Sequence, residues 1–202
     1  MGITFHYSGR FNPAASLSAM INEVEDIAKS NHWSYVVYEK AFPARGFDTV
    51  HNHTLYGISF TPPECETVHL IFLSDGKMSS YFNLKLYGNP EKPQFPEFLY
   101  MLSVKTQYAG PQVHIKLLKL FKYINQKYLA DFELHDEGKY WETEDETMLN
   151  SIFKRSEALI ASFKIGLKTL PIQIGESLDA YIMRVAEHVQ ANDGGMKDGE
   201  EN

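Results

Sequence analysis

The sequence predicts an α+β fold with a mainly antiparallel sheet of about five to six strands, amphipathic helices covering it, and a helical C-terminal part. Short apolar or alternating segments follow one another between residues 34 and 108, which is typical of consecutive strands. Longer segments with apolar residues three and four positions apart lie before and after them. Runs of strands followed by runs of helices are typical of α+β proteins.

Length and composition predict one globular domain. The 202 residues include 44% apolar and 22% charged residues, as in ordinary soluble proteins. We expect a single α+β domain over residues 1–190. Residues 191–202 are rich in Gly, Asp and Glu and are expected to form a disordered acidic tail.

The first half of the chain is predicted to contain a strand, a helix and several further strands. Residues 3–7 form the first strand, and a helix begins near Asn12-Pro13, since proline is tolerated in a first helical turn. Its apolar face comprises Leu17, Met20, Ile21, Val24, Ile27 and Ala28. Further strands are predicted at residues 34–41, 55–61 and 67–74.

A hairpin turn is predicted at Asp75-Gly76. Apolar segments flank this pair, and Asp-Gly tolerates the positive φ angles of a two-residue type I′ turn. The segment after it alternates between two sets of side chains, so a strand is expected over residues 78–86. A proline-rich loop over residues 87–96 follows.

The second half is predicted to be mostly helical. A strand at residues 102–108 ends at Gly110-Pro111, and a long amphipathic helix covers residues 112–129. A short strand at 132–135 is followed by a capping box, in which Thr143 caps a third helix and Glu146 reciprocates. Pro171 ends that segment, and Ser177 caps a last helix.

Charge and cysteine content restrict the classes of partner. The net charge of −7 argues against nucleic acid, because phosphate binding requires a concentrated positive surface. Cys65 is the single cysteine and excludes an internal disulfide. We expect a cytoplasmic protein without a signal peptide or a membrane span, since no apolar run approaches ~18 residues.

The acidic corner that follows residue 135 holds the candidate catalytic residues. Asp136, Glu137 and Glu142 could perform acid/base chemistry if their environments separate their pKa values. Equally, acidic residues near a helix start can be purely structural. Tyr140 and Trp141 could form the wall of a ligand pocket or anchor the corner to the core.

Two further groups are weaker candidates. Lys105 and Gln107 lie at a strand end before a helix start and could bind a small ligand, or they could form the solvent face of an amphipathic strand. His51 and His53 could share a metal ion if they lie on one strand, but a site needs three or four converging ligands. We therefore expect no metal and no cofactor.

The sequence contains none of the common nucleophile or phosphate-loop motifs. The first functional hypothesis is therefore a non-enzymatic binding or protein-interaction module. The alternative is a small-molecule enzyme, hydrolase-like, that uses the carboxylates at 136–142. The partner would be a protein or a small molecule, and self-association into a homo-oligomer is kept open.

Overall fold

The computed structural model describes residues 2–43, 46–89 and 96–194. Its contacts divide the chain into two compact units, which comprise residues 2–149 and residues from 150 onward. Helix α5 begins at the end of the larger unit and continues into the smaller one. Whether residues 1–190 fold as one domain stays a prediction.

The α+β class is confirmed. The elements are, in chain order, β1 (Thr4–Phe11), α1 (Leu17–Ser30), β2 (Ser34–Val37), β3 (Tyr56–Thr61), β4 (Val68–Phe72), α2 (Tyr81–Tyr87), a 3-10 turn (Pro96–Tyr100), β5 (Leu102–Lys105), α3 (Pro111–Tyr128), β6 (Leu129–Asp136), α4 (Tyr140–Thr143), α5 (Glu146–Thr169) and α6 (Leu178–Gly194).

The expectation of one five- to six-stranded sheet is wrong in its arrangement. The described strands form two antiparallel sheets of three strands each, in the orders β5-β1-β6 and β2-β3-β4. In the first sheet, the central strand β1 pairs with β5 on one side and β6 on the other. The division into two sheets depends on pairings between residues far apart in sequence, which local alternation does not determine.

The turn at Asp75-Gly76 is tight, but it is not a type I′ turn. The N–H of Leu73 donates to the carbonyl of Lys77, and the N–H of Gly76 donates to the carbonyl of Leu73, both at 2.9 Å. This leaves a three-residue loop in which Gly76 alone has a positive φ, of 81°. A type I turn followed by a left-handed glycine gives this pattern.

The residues after this turn link the two sheets. The N–H of Phe11 in β1 donates to the carbonyl of Gly76 at 2.8 Å, and the N–H of Met78 donates to the carbonyl of Gly9 at 2.9 Å. Met78 also forms an antiparallel bridge with Phe72 at the end of β4. The segment therefore contacts one strand of each sheet.

The strand predicted at residues 78–86 is wrong, because residues 81–87 form helix α2. Ser80 caps this helix by accepting a hydrogen bond from the N–H of Asn83 at 3.1 Å. The side-chain amide of Asn83 donates to the carbonyls of Phe98 and Met101 at 2.9 and 2.8 Å. These polar contacts hold the helix, none of whose side chains is buried.

Helices α1 and α3 bury the faces that their periodicity predicts. The cap of α1 is Ser16, whose hydroxyl accepts from the N–H of Ala19 at 3.3 Å. Both helices supply fully buried side chains, including Met20, Ile21 and Phe121. Phe121 packs against Tyr7 of β1, with ring centroids 4.7 Å apart. Burial of each such side chain stabilises the fold by roughly 1.5–3 kcal/mol.

The cap of α5 differs from the predicted one. Asp145 supplies it, because its Oδ1 accepts from the N–H groups of Thr147 and Met148 at 2.8 and 3.0 Å. The Thr143 hydroxyl donates to the carbonyl of Lys139 at 2.6 Å and accepts from the N–H of Asp145 at 3.2 Å. Thr143 therefore closes α4, and α5 begins after it.

The smaller unit contains a helical hairpin. A Cβ atom at Gly166 of α5 would lie 2.8 Å from Cγ1 of Val185 in α6, so glycine permits close packing. Ser177 caps α6 as predicted and accepts from the N–H of Ala180 at 3.2 Å. The predicted disorder is wrong for residues 191–194, which belong to α6, while residues 195–202 lie outside the described ones.

Within the described ranges, no helix has the length and hydropathy needed to cross a membrane. Cys65 is a free thiol, as expected of a single cysteine. Most of the proline-rich loop, residues 90–95, falls outside the described ranges.

Candidate functional site

A polar cluster lies in the interior of the larger unit. The hydroxyl of Thr106 lies 2.7 Å from Nδ1 of His114, and Nε2 of His114 lies 3.0 Å from Oδ1 of Asp136. All three residues are inaccessible to solvent. The cluster therefore connects a hydroxyl, an imidazole and a carboxylate in one buried chain.

The topology of the first sheet brings these residues together. Lys105 at the end of β5 pairs with Thr4, and Asp136 at the end of β6 pairs with Phe5. Both strands therefore end beside the start of β1. Thr106 follows β5 directly, and His114 lies in the first turn of α3, which begins at Pro111.

Asp136 makes further hydrogen bonds to the backbone of the corner. Its Oδ1 accepts from the N–H of Gly138 at 2.7 Å, and its Oδ2 accepts from the N–H of Trp141 at 3.0 Å. Burial raises the pKa of Asp136, but the hydrogen bond and charge of His114 and the two N–H groups together hold its pKa below the ordinary value.

Gly138 packs directly on this pair. A Cβ atom at residue 138 would lie 2.9 Å from Nε2 of His114, 3.1 Å from Oδ1 of Asp136 and 2.7 Å from Cδ1 of Leu149. Because those distances are shorter than real Cβ contacts, only glycine fits without displacement of the pair. Packing therefore explains why glycine follows two positions after Asp136.

The order of groups is the one found in hydroxyl–histidine–carboxylate catalytic triads. In a working triad the hydroxyl must reach a substrate, and here Thr106 is fully buried. Its hydroxyl also lies 3.4 Å from the carbonyl of Ile3, to which it donates. The cluster therefore ties three segments together and has no access to substrate in this conformation.

The other two candidate carboxylates make contacts of their own. Glu137 accepts a hydrogen bond from the N–H of Thr4 at 2.9 Å, and its second oxygen lies 3.9 Å from Nε2 of His6. Glu142 is exposed on the four-residue helix α4. Glu137 and Glu142 are thus open to solvent, whereas Asp136 is buried.

The two aromatic residues of the corner pack against the fold. Tyr140 is buried. Trp141 makes an edge contact with Phe132, with centroids 6.0 Å apart, and its ring lies 5.5 Å from Nζ of Lys122. Such packing supports the anchoring interpretation of these two residues.

Gln107 and Lys105 also form hydrogen bonds that connect segments far apart in the sequence. The side-chain oxygen of Gln107 accepts from the N–H of Ile3 at 3.0 Å, and Gln107 is buried. The backbone N–H of Lys105 donates to the carboxylate of Glu66 at 2.8 Å, and its Nζ lies 5.8 Å from the ring centroid of Tyr108. Gln107 is therefore not on the solvent face of the strand.

The rings of His51 and His53 do come together, with centroids 4.6 Å apart and nearly perpendicular planes. His53 has a positive φ of 60°, so the two residues do not lie on a regular strand. Burial and the charge of His53 lower the pKa of His51. Among the residues with described positions, no group of three or more His, Cys, Asp or Glu could hold a metal.

A surface feature that the sequence reasoning missed lies in the smaller unit. The loop between α5 and α6, residues 170–177, is called the hairpin loop below. It projects Ile172 and Ile174 into solvent, with relative exposures of 62% and 107%. The signal in the sequence is the pair of isoleucines two positions apart, in a segment between Pro171 and Gly175 that is too short to predict a strand.

An ion pair orders the hairpin loop. Nε of Arg184 donates to Oε1 of Glu176, and Nη2 donates to Oε2, both at 2.8 Å. Nη2 also donates to the carbonyl of Pro171 at 2.9 Å. The N–H of Gln173 donates to Oε2 of Glu176 at 2.9 Å.

The lowered pKa of Glu176 agrees with this geometry. The hydrogen bond from Arg184, and then that from the N–H of Gln173, lower the pKa of Glu176 to about 2. The bidentate pairing of a guanidinium and a carboxylate fixes orientation as well as charge. The loop therefore has a defined conformation although its isoleucines have no contact with a core.

No family model, no curated protein and no solved structure matches this chain. A function has to be assigned from the residues and contacts of the chain itself.

Proposed function

We propose that this chain is a non-enzymatic protein-interaction module that binds a partner protein through its hairpin loop. The observation that carries the proposal is the ordered presentation of Ile172 and Ile174 by the Arg184–Glu176 ion pair. A monomer gains nothing from ordering two isoleucines in water. A partner with an apolar pocket would gain from their burial.

The energetics support such a role. Full burial of an isoleucine contributes roughly 1.5–3 kcal/mol, so two side chains could supply several kcal/mol of binding free energy. The loop is already ordered, and preorganisation reduces the entropy lost on binding. Leu178, at the start of α6, is also largely exposed and extends the apolar surface.

A protein partner is favoured over a lipid surface. The chain carries a net charge of −7, which opposes attraction to anionic membranes. Nucleic acid is disfavoured for the same reason. A cytoplasmic location is part of the proposal, and the unpaired Cys65 is compatible with a reducing compartment.

The alternative of a small-molecule enzyme at residues 136–142 receives less support. Asp136 is inaccessible and its oxygens accept hydrogen bonds from the protein, while Glu142 is exposed. A general acid or base must come within hydrogen-bond reach of a substrate. The arrangement instead suits a structural role for Asp136.

Site-specific photo-crosslinking in cells of the source organism tests the proposal. A benzophenone amino acid replaces Ile174, and a control probe replaces Phe82, an exposed apolar residue on α2. We expect a discrete crosslinked protein from position 174 and a different or no product from position 82. The identified partner should then bind the purified chain, with affinity reduced at least tenfold, or about 1.4 kcal/mol, by Ile174→Ser.

The variant Arg184→Lys tests preorganisation. It keeps the positive charge and removes the bidentate contact with Glu176, so we expect weaker binding while Phe82→Ser leaves binding unchanged. Equal binding by the wild type and Ile174→Ser would overturn the proposal. Crosslinks only between copies of this chain, with dimers seen by light scattering, would replace it with homo-oligomerisation.

A further inference from the structure

A second surface feature belongs to the larger unit and lies between helices α1 and α3. It is a cleft of about 390 Å³, within the usual range for small-molecule sites. Ile27, Asn31 and Trp33 line one side, and four residues of α3 line the other: Lys116, Lys119, Leu120 and Tyr123.

The interior of the cleft is apolar. Trp33 and Leu120 are almost buried, and the indole of Trp33 stacks on Phe60 at 5.3 Å between centroids with nearly parallel planes. The side-chain amide of Asn31 donates to the carbonyl of Ile27 at 2.9 Å. The stacked indole and the helix backbone therefore give the cleft fixed walls.

The edge of the cleft is positively charged. Lys116 and Lys119 are exposed, and across the part of the chain that is described neither forms an ion pair. The neighbouring lysines of α3 behave differently, since Lys122 pairs with Glu144 and Lys127 pairs with Glu23 at 2.6 Å. Lys116 and Lys119 therefore place two positive charges beside one apolar cleft, and the charge of Lys119 also acts on Glu144.

One end of the cleft is held by a polar network. The hydroxyl of Tyr123 donates to Oε2 of Glu23 at 2.7 Å, and Nζ of Lys127 donates to Oε1 of the same residue at 2.6 Å. This network links α1 to α3 and neutralises the carboxylate of Glu23. It leaves Lys116 and Lys119 as the cations available to a ligand.

We infer that the cleft binds a small organic carboxylate with an apolar body. The apolar body would lie against Trp33, Ile27 and Leu120, and the carboxylate would accept hydrogen bonds from Lys116 and Lys119. Apolar walls with a few placed polar groups are the usual composition of such sites. A cationic ligand would be repelled by the lysines, and a neutral one would gain nothing from them.

Octanoate and 1-octanol are suitable probes, because they share a chain and differ in charge. Trp33 is one of two tryptophans, so its emission can be followed alone in a Trp141→Phe background. We expect saturable octanoate binding that changes Trp33 emission. In the wild type, amide shifts of Asn31 and Leu120 should change over the same concentration range.

The lysine contribution is tested by the double variant Lys116→Gln/Lys119→Gln. We expect a loss of about tenfold in octanoate affinity, from two exposed charge contacts, and little change for octanol. Raising ionic strength from about 0.05 M to about 0.5 M should weaken octanoate binding alone. The charge-matched control is Lys164→Gln/Lys168→Gln on α5, which should bind as the wild type does.

Two results would overturn the inference. One is the absence of saturable octanoate binding by both fluorescence and amide shifts. The other is equal weakening by the two double variants, which would indicate a general charge effect. Neither result depends on the hairpin loop.

Discussion

The carboxylate of Asp136 lies 3.0 Å from Nε2 of His114, and neither side chain is accessible to solvent. Asp136 belongs to the last position of β6 and His114 to the first turn of α3. Their contact therefore connects the sheet to its covering helix. A buried pair of this kind makes each partner depend on the other, because an isolated buried charge is costly.

Asp136→Asn should lower the free energy of unfolding by about 3 kcal/mol, because it removes one charge of a buried pair. Glu142→Gln is the control, and it should change stability by less than about 0.5 kcal/mol as an exposed site. Urea midpoints with unchanged slopes measure both effects. If Asp136→Asn instead raised the free energy of unfolding, this would indicate that the carboxylate has a function and destabilises the fold.

The same pair predicts the direction of the pH dependence. The pKa of Asp136 is lowered in the folded state relative to an ordinary carboxyl of about 3.9. Its stabilising contribution is therefore complete above that value and is lost as the pH falls through the folded-state pKa. The urea midpoints of the wild type and Asp136→Asn should differ strongly at about pH 6 and converge as the pH falls below the ordinary carboxyl value and through the folded-state pKa. A constant difference would contradict the lowered pKa.

Gly76 has a positive φ of 81°, and a Cβ atom at this position would lie 2.7 Å from the ring of Phe47. Gly76→Ala should therefore lower the free energy of unfolding by about 1–3 kcal/mol, because the ring must move. Replacing Phe47 by alanine removes this clash, so Gly76→Ala should cost less in a Phe47→Ala background than in the wild type. Equal losses in the two backgrounds, measured by thermal melts, would exclude the steric contribution.

The cap of α5 is also testable. Asp145→Ala should cost about 1 kcal/mol, since its carboxylate accepts from two N–H groups of the first turn. Thr143→Ala should cost less, because its hydroxyl contacts α4 and not the first turn of α5. Urea midpoints of the two variants, each measured against the wild type, decide the order. The reverse order would restore Thr143 as the cap.

The long helices were predictable from sequence because their period is determined locally. The expected helix at 112–129 corresponds to Pro111–Tyr128. The prediction of a strand at residues 78–86 was wrong, because alternation of side chains is a weaker indication of secondary structure than a local helix cap. Ser80 and Asn83 satisfy backbone groups within α2 and over residues 98–101, and no sequence period reports that second contact.

The candidate site was predictable only in part. The acidic corner identified Asp136, but its partner His114 is 22 positions earlier and carries no motif. The two meet because β5 and β6 both end beside the start of β1. The sequence signal for the hairpin loop was weaker still. The ion pair between Glu176 and Arg184 forms only because the turn brings the two residues together.

The position of β1 at the centre of the first sheet has a consequence for how the chain folds during synthesis. The hydrogen-bonded residues Ile3 and Gln107, just beyond the β1–β5 pairing, are 104 residues apart, and Thr4 and Glu137, at the end of the β1–β6 pairing, are 133 apart. The ribosome therefore releases β1 long before either neighbour exists. At about 5–20 residues per second, its apolar residues wait roughly 5 to 27 seconds for their partners. Until then the apolar residues of β1 are open to non-native contacts.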